Sequence, residues 1–326
     1  METRSRQQCL QSWGANSYGQ LGQGHVEDQA DPRLSDTAAL HNKAVRAVNG
    51  GGGHSVLITE NGEVFVCGQN HRGQLGLGHN ADITTFQLCP SPSERVTKVA
   101  CGWDFTLLLT DSGCVYQWGR GLFSHAKRAL SPHPVPSYLS STVPSLVPRL
   151  DQKTSHMVAA GSAHCVCLTG DGDLFLWGSN KHGQLTTPEP FLSSPTLVKH
   201  SLLGGEKVIH AWSGWTHIVA QTETGRVFTW GRGDYGQLGR QASPNQNPER
   251  QSAGPSAEGG NQAWLPAEVE VLRGATQGGV SSPGAGMNME CAETVHRPTS
   301  LSRSSFLVSD LFSLAAEPDT LWQCAL

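Results

Sequence analysis

The stretch WGANSYGQLGQG, Trp13 to Gly24, decides how this chain is read. Its glycines suit either a cradle for phosphate or the corner of a sheet. A P-loop needs G-x-x-x-x-G-K-[ST] between a strand and a helix, and a dinucleotide site needs G-x-G-x-x-G opening a helix. Gly19-Gln20-Leu21-Gly22-Gln23-Gly24 has neither a Lys-Ser/Thr pair nor a helical continuation. It also recurs, which one nucleotide site would not require. Copies stand at Val66 to Gly78 (VCGQNHRGQLGLG), Trp177 to Leu185 (WGSNKHGQL) and Trp230 to Gly239 (WGRGDYGQLG), with a partial copy at Trp118-Gly119. The leading residues are Trp13 (followed by Gly14), Cys67, Trp118, Trp177 and Trp230, spaced 54, 51, 59 and 53 residues apart. The corner reading therefore holds. The glycines make turns, Leu21, Leu75, Leu185 and Leu238 plug between units, and Gln20, Gln74, Gln184 and Gln237 bond loop backbone.

A second marker runs in phase with the first. It reads Gly51-Gly-Gly-His54, Gly102-Trp-Asp-Phe105, Gly161-Ser-Ala-His164 and Gly214-Trp-Thr-His217, each followed by an apolar run. A short corner such as Asn61-Gly62 or Ser112-Gly113 then leads into a second apolar run that ends at the Trp-Gly or Cys-Gly. Two β-branched runs around such a corner are a hairpin, because glycine supplies the positive φ of the turn. A single unit cannot bury both faces, so units must stack. A period near 50 residues with about four strands predicts an all-β fold of propeller blades.

Composition agrees with short strands and glycine corners. Of 326 residues 38 are glycine and only 15% are charged, which disfavours a long helical bundle. The net charge of −4 gives no overall attraction to nucleic acid or to an anionic membrane. No apolar run is long enough to insert in a bilayer, and the first residues lack the apolar core of a secretory signal. The nine cysteines, an odd number, read as buried thiols of a reducing compartment, cytoplasmic or also nuclear. His54, His164 and His217 suggest a metal triad at first sight. Each holds the same place in its own repeat, so the expected role is a buried ring bonded to a neighbouring loop, with no metal and no cofactor. Protease, esterase and paired-carboxylate signatures are missing, so no catalytic residue is assigned.

The paired markers G-x-x-H-x-x-x-L-T and W-G-x-N-x-x-G-Q-L-G resemble the repeats of the regulator of chromosome condensation family, over residues 8–240. The resemblance implies a β-propeller whose complete ring has seven blades. About five units are present here, and two departures mark the difference. Between Trp103-Asp104-Phe105 and Gln117-Trp118-Gly119 the resemblance implies one further repeat, so that two half-repeats are joined. After Leu272 to Thr276 another G-x-x-H marker is due, and QGGVSSPGAGMNME stands instead. An open array leaves apolar blade faces uncovered, which implies lower stability than a full ring, or reliance on a partner or on self-association through the open edges. Residues 1–7 read as a disordered N-terminus and residues 241–305 as a disordered linker rich in Gln, Ser, Pro, Gly and Asn. Residues 306–326 read as a divergent tail with a short helix on Leu307, Leu311 and Leu314.

For function the resemblance implies an exchange-factor-like regulator of a small G protein, in a branch of the family linked to control of secretion. The alternative is a scaffold that binds a secretory-pathway (exocyst-type) partner without exchange activity. By the same resemblance Asp104 is the candidate acidic contact with the G protein. Trp103 and Trp215 hold the same marker position in different repeats, where exposed aromatics make candidate interface anchors. Each has a plainer reading, Asp104 as a turn former and the indoles as packing. Nucleosome binding is not implied, since Met1 to Leu10 carries only Arg4 and Arg6.

Overall fold

Each apolar run serves two interfaces at once, which is why the strands read as near-continuous hydrophobic stretches. In the computed structural model, which describes residues 10–90, 92–150, 153–240, 264–270 and 322–325, the strands form five sheets. The first blade holds β1 (Leu10–Gly14) and β2 (Gln29–Leu34). The second runs β3 (Val45–Gly50), β4 (His54–Thr59), β5 (Val64–Gly68) and β6 (Ile83–Leu88). The third runs β7 (Val96–Cys101), β8 (Thr106–Thr110), β9 (Val115–Trp118) and the two-residue β10 (Ser145–Leu146). The fourth runs β11 (Ser155–Ala160), β12 (His164–Thr169), β13 (Leu174–Ser179) and β14 (Phe191–Leu197). The fifth runs β15 (Val208–Ser213), β16 (His217–Thr222), β17 (Val227–Gly231) and β18 (Ala267–Glu268). A last strand, β19 (Trp322–Ala325), pairs in parallel with β1.

Alternation divides each strand between neighbours. Leu57, Phe65 and Cys67 pack on the side of Leu10, whereas Val56, Ile58, Val64 and Val66 pack with Leu108 and Trp118 of the third blade. The fourth blade repeats the pattern, with Cys165, Phe175 and Trp177 on one side and Val166, Leu168 and Leu176 on the other. Each fully buried side chain of this size contributes about 1.5–3 kcal/mol.

The markers have local causes. In G-x-x-H the histidine ring folds back over the first glycine, and a Cβ on Gly161 would lie 2.0 Å from His164 Cε1. Phe105 covers Gly102 in the same way. Gly161→Ala is therefore expected to cost about 1–3 kcal/mol through overpacking, read as a lower urea midpoint. The glycine after each Trp or Cys has positive φ, +102° at Gly68 and +104° at Gly178, and lies against the marker backbone. Loop ends are tied by asparagine: Asn70 Nδ2 donates to His79 O and Ala81 O, and Asn70 Oδ1 accepts from Leu75 N. Gln20, Gln74, Gln184 and Gln237 each accept, through Oε1, from the amide two residues before.

Successive blades are also joined by a buried polar contact at the glutamine. Trp118 Nε1 donates to Gln74 O at 2.8 Å, and Trp230 Nε1 donates to Gln184 O at 3.0 Å. Where Cys67 replaces the indole, Ser55 Oγ donates to Gln20 O at 2.7 Å and Cys67 Sγ lies 3.5 Å from the same oxygen. The third blade has no GQLG. There Trp177 Nε1 donates instead to the side chain of Gln117, at 2.9 Å.

The first departure in the sequence has a structural outcome, and the second, after Thr276, lies outside the described residues. The joined half-repeats pair as one continuous hairpin, Thr106 opposite Trp118, within a four-stranded blade. A helix, α1 (Phe123–Leu130), follows, and Leu122, Ala126 and Leu139 fill the interface with the fourth blade. The stretch read as a linker, residues 241–305, contains the fourth strand of the fifth blade. Ala267 pairs with Thr229, Val269 is buried, and Glu268 bonds Arg226 at 2.7 Å. That part of the linker reading is corrected: two residues of strand carry no periodicity, so their pairing left no mark in the sequence. The helix expected on Leu307, Leu311 and Leu314 and the disorder expected for residues 1–7 lie outside the described residues.

Candidate partner-binding face

In an antiparallel four-stranded blade the loops after the first and third strands emerge on one face. The G-x-x-H markers and the GQLG corners therefore share a face, and the polar hairpin turns lie opposite. On that face a backbone ladder crosses from blade to blade. Gly52 N donates to Trp103 O, Trp103 N to Ser162 O, and Ser162 N to Trp215 O, at 3.1, 3.2 and 2.9 Å. Each is the second residue of its marker, so one position of the repeat aligns the blades.

The ladder sets the positions of the two indoles. Trp103 lies over Gly52, where a Cβ would come within 2.5 Å of the ring. It meets Trp215 edge to face, ring centres 4.8 Å apart at 74°. The intervening fourth-blade marker carries only the small Ser162 and Ala163. Trp103 and Trp215 stay 41% and 36% exposed, so both indoles of the pair reach solvent on this face.

Asp104, next to Trp103, is half-buried. Its Oδ1 accepts from Gln74 Nε2 at 3.3 Å, and its main-chain oxygen accepts from Gly121 N at 3.0 Å. Burial raises the carboxyl above the usual carboxylate range, and the nearby His71 and Arg72 draw it partly back. The structure thus brings Trp103 and Trp215 into contact and sets Asp104 beside the first.

The histidines are kept apart, one to a blade, and two reach across to the next. Thr106 Oγ1 spends its proton on Gln74 O, so its contact with His54 at 2.9 Å has His54 Nε2 as donor. Ser213 Oγ likewise donates to Gly214 O and accepts from His164 Nε2 at 2.8 Å. In both rings Nδ1 is buried without a partner. Burial holds His54 down at about 4 and His164 at about 3, with His217 and His182 adding to the second. Burial also lowers His217. Trp118, Trp177 and Trp230 are fully buried, and Trp13 is half-buried on the first blade.

Two aromatics of this face were not singled out by the sequence reading. Tyr18 and Tyr235 are 40% and 78% exposed and occupy the same place, just before the glycine of G-Q-L-G. Arg72 and His182 hold that place in other repeats, and this variable residue within an otherwise repeated corner was the available signal.

Blades joined in succession by one repeated ladder define a β-propeller of the repeat type named above. The chain matches the RCC1-like domain over residues 4–296, and it belongs to that family. It is 39% identical to the secretion-regulating guanine nucleotide exchange factor of Mus musculus, over 85% of this chain and 71% of that protein. The Bos taurus protein of the same name is also 39% identical, over 82% of this chain and 69% of its own length. Among solved structures, Prp20p of Saccharomyces cerevisiae, described with its binding to Gsp1p and histones, superposes with a TM-score of 0.61. At 23% identity, over 73% of this chain and 56% of that one, it supports the fold alone.

Proposed function

We propose that this chain is a guanine nucleotide exchange factor-like regulator of a small G protein, acting in the control of secretion. The marker face docks the partner, with Trp103 and Trp215 as anchors and Asp104 as the acidic contact. The observation that carries this reading is the exposed edge-to-face indole pair beside a half-buried carboxylate, in a chain whose relatives bear the exchange-factor name. Such activity breaks no covalent bond. A protein that binds the nucleotide-free G protein more tightly than the loaded form weakens, by linkage, the hold on nucleotide. A shaped surface suffices, in keeping with the absence of catalytic signatures from the sequence.

The test is release of a fluorescent nucleotide from a panel of small G proteins, with the native chain and with Asp104→Ala. Acceleration by the native chain is expected to fall on the order of tenfold in the variant, the loss of one charge-assisted contact. If no G protein responds while a secretory-pathway partner is still captured, and capture is lost in Trp103→Ala, the scaffold reading replaces it. Self-association through the open blade edges is part of the same proposal. A mass by light scattering that stays monomeric across a wide concentration range would remove it.

A further inference from the structure

Loops that follow the third strand of a blade emerge on the marker face, and in three successive blades these loops carry cations. Arg72 stands in the corner after β5, Arg120 directly after β9, Lys127 and Arg128 on α1, and Lys181 in the corner after β13. Direct contacts join these loops. Arg120 N donates to Arg72 O at 2.9 Å, and α1 packs on β13 and β14, the two strands that the Lys181 corner connects. Thr142, beyond α1, covers Gly73 of the Arg72 corner, where a Cβ would come within 2.6 Å of it. The five cations therefore form one arc over the second, third and fourth blades.

Arg72, Lys127, Arg128 and Lys181 are exposed, and Arg120 is half-buried with its guanidinium 5.0 Å from the centre of the Phe123 ring. Among the described residues none of the five forms a salt bridge. From Ser112 to Leu150 the sequence contains no Asp or Glu. The acids within the arc are Asp82, whose Oδ1 accepts from Asn70 N at 2.6 Å, Glu189 and the half-buried Asp104. The arc is bounded on both sides: Arg232 of the fifth blade is bonded to Asp234 at 2.6 Å, and the first-blade corner carries Glu27 and Asp28.

The opposite face has the other sign. Each of its four hairpin turns bears an exposed acid, Glu60, Asp111, Asp171 and Glu223. Lys43, Lys153 and Arg226 on that side are bonded to Glu63, Asp173 and Glu206. A molecule of net charge −4 with an arc of unpaired cations on one face steers an acidic partner to that face.

We propose that the arc of Arg72, Arg120, Lys127, Arg128 and Lys181 docks an acidic protein surface, rich in Asp and Glu, beside the indole pair. The proposal rests on the reading of the marker face as the docking face, and it adds the sign of charge that the partner presents. Guanidinium and ammonium groups set on separate loops match separate carboxylates. The indoles and the Asp104 carboxylate on the same face suit a folded protein, whereas the net negative charge and the acidic turns disfavour a long polyanion.

The experiment is fluorescence anisotropy of labelled poly-L-glutamate titrated with the full chain at about 50 mM and about 200 mM salt. Saturable binding is expected at the lower salt, weakened on the order of tenfold at the higher. Reversing one exposed cation removes an attraction and adds a repulsion. Lys127→Glu and Lys181→Glu are therefore each expected to weaken binding on the order of fivefold. Lys207→Glu, the same reversal at an exposed lysine of the turn face, is expected to bind as the native chain does. No saturable binding at the lower salt, or an equal loss in Lys207→Glu, overturns the proposal. Tighter binding of an oligothymidylate or of phosphatidylserine vesicles than of polyglutamate also overturns it, and assigns the arc to nucleic acid or to a membrane surface. Polyglutamate binding without nucleotide release leaves the arc standing while the exchange reading falls. Nucleotide release without polyglutamate binding removes the arc alone.

Discussion

Trp118→Ala is expected to destabilise the blade array by about 3–5 kcal/mol, the range for deleting a fully buried aromatic. Trp118 is wholly buried between the second and third blades, among Val66, Leu75 and Leu108. Gly76, the last residue of Gln74-Leu-Gly, has no side chain because a Cβ there would sit 2.7 Å from Trp118 Nε1. Removing the indole therefore opens a void that the rigid corner cannot collapse to fill. Urea unfolding followed by far-UV circular dichroism measures the loss. A shift under about 1 kcal/mol would mean that the interface is not where the blades are coupled.

The polar part of this contact separates from the packing by substitution with phenylalanine. In Trp118→Phe the Gln74 carbonyl still accepts from Thr106 Oγ1 at 2.9 Å, so the cost is one ordinary hydrogen bond, about 1 kcal/mol. Trp177→Phe is different. Gln117 Nε2 already lacks a partner in the buried interface, and Gln117 Oε1 would keep only the weak Cys165 thiol at 3.9 Å. An amide left nearly unpaired away from water costs about 1–3 kcal/mol, so Trp177→Phe is the more damaging of the two. Equal losses in the two variants would refute the assignment of Gln117 as the substitute acceptor.

The sequence disclosed what is local and concealed what crosses between blades. Hairpins, corners and the period were legible because each marker solves a problem within a few residues, such as a positive φ at Gly68 or a ring over Gly161. The leading Trp and the Gln were recognisable as repeat residues. That one donates to the other across an interface was not, since the partners lie a whole period apart. Gln117 is a case in point: it stands outside the GQLG corner and serves its role by side chain instead of main chain. The candidate face was legible residue by residue, through the non-histidine marker at Asp104 and the indoles at Trp103 and Trp215. Their meeting depends on the ladder through Ser162, which a backbone bond makes without any sequence requirement. Helix α1 left no expectation either, because it is a short helix whose buried apolar side chains are only Leu122 at its start and Ala126, with Leu130 partly buried beside them.

His54 and His164 together are expected to withdraw about 4 kcal/mol of stability between about pH 7.5 and about pH 5, and His217, His125 and His182, also lowered by burial, add to that loss. Both rings carry their proton on Nε2, where a hydroxyl of the next blade accepts it, and both bury a bare Nδ1. A second proton would place an unpaired cation in the interface, so the folded-state values are depressed, to about 4 for His54 and about 3 for His164. The unfolded chain titrates near the ordinary value of 6.5. Below that value the unfolded state binds protons that the folded state refuses, so stability is fully present above it and declines as pH falls. At about pH 5 linkage gives a loss of about 2 kcal/mol for each ring. Carboxylates held low by their partners, such as Asp173 beside His200 and Lys153, add their losses only in stronger acid. Urea unfolding at the two pH values measures the total, and a flat profile would contradict burial of the neutral rings. His164→Gln sharpens the attribution: its amide can still donate toward Ser213 but cannot be charged, so the pH-dependent loss is expected to shrink by about 2 kcal/mol. If the variant keeps the full loss, the acid sensitivity belongs to other groups than the cross-blade histidines.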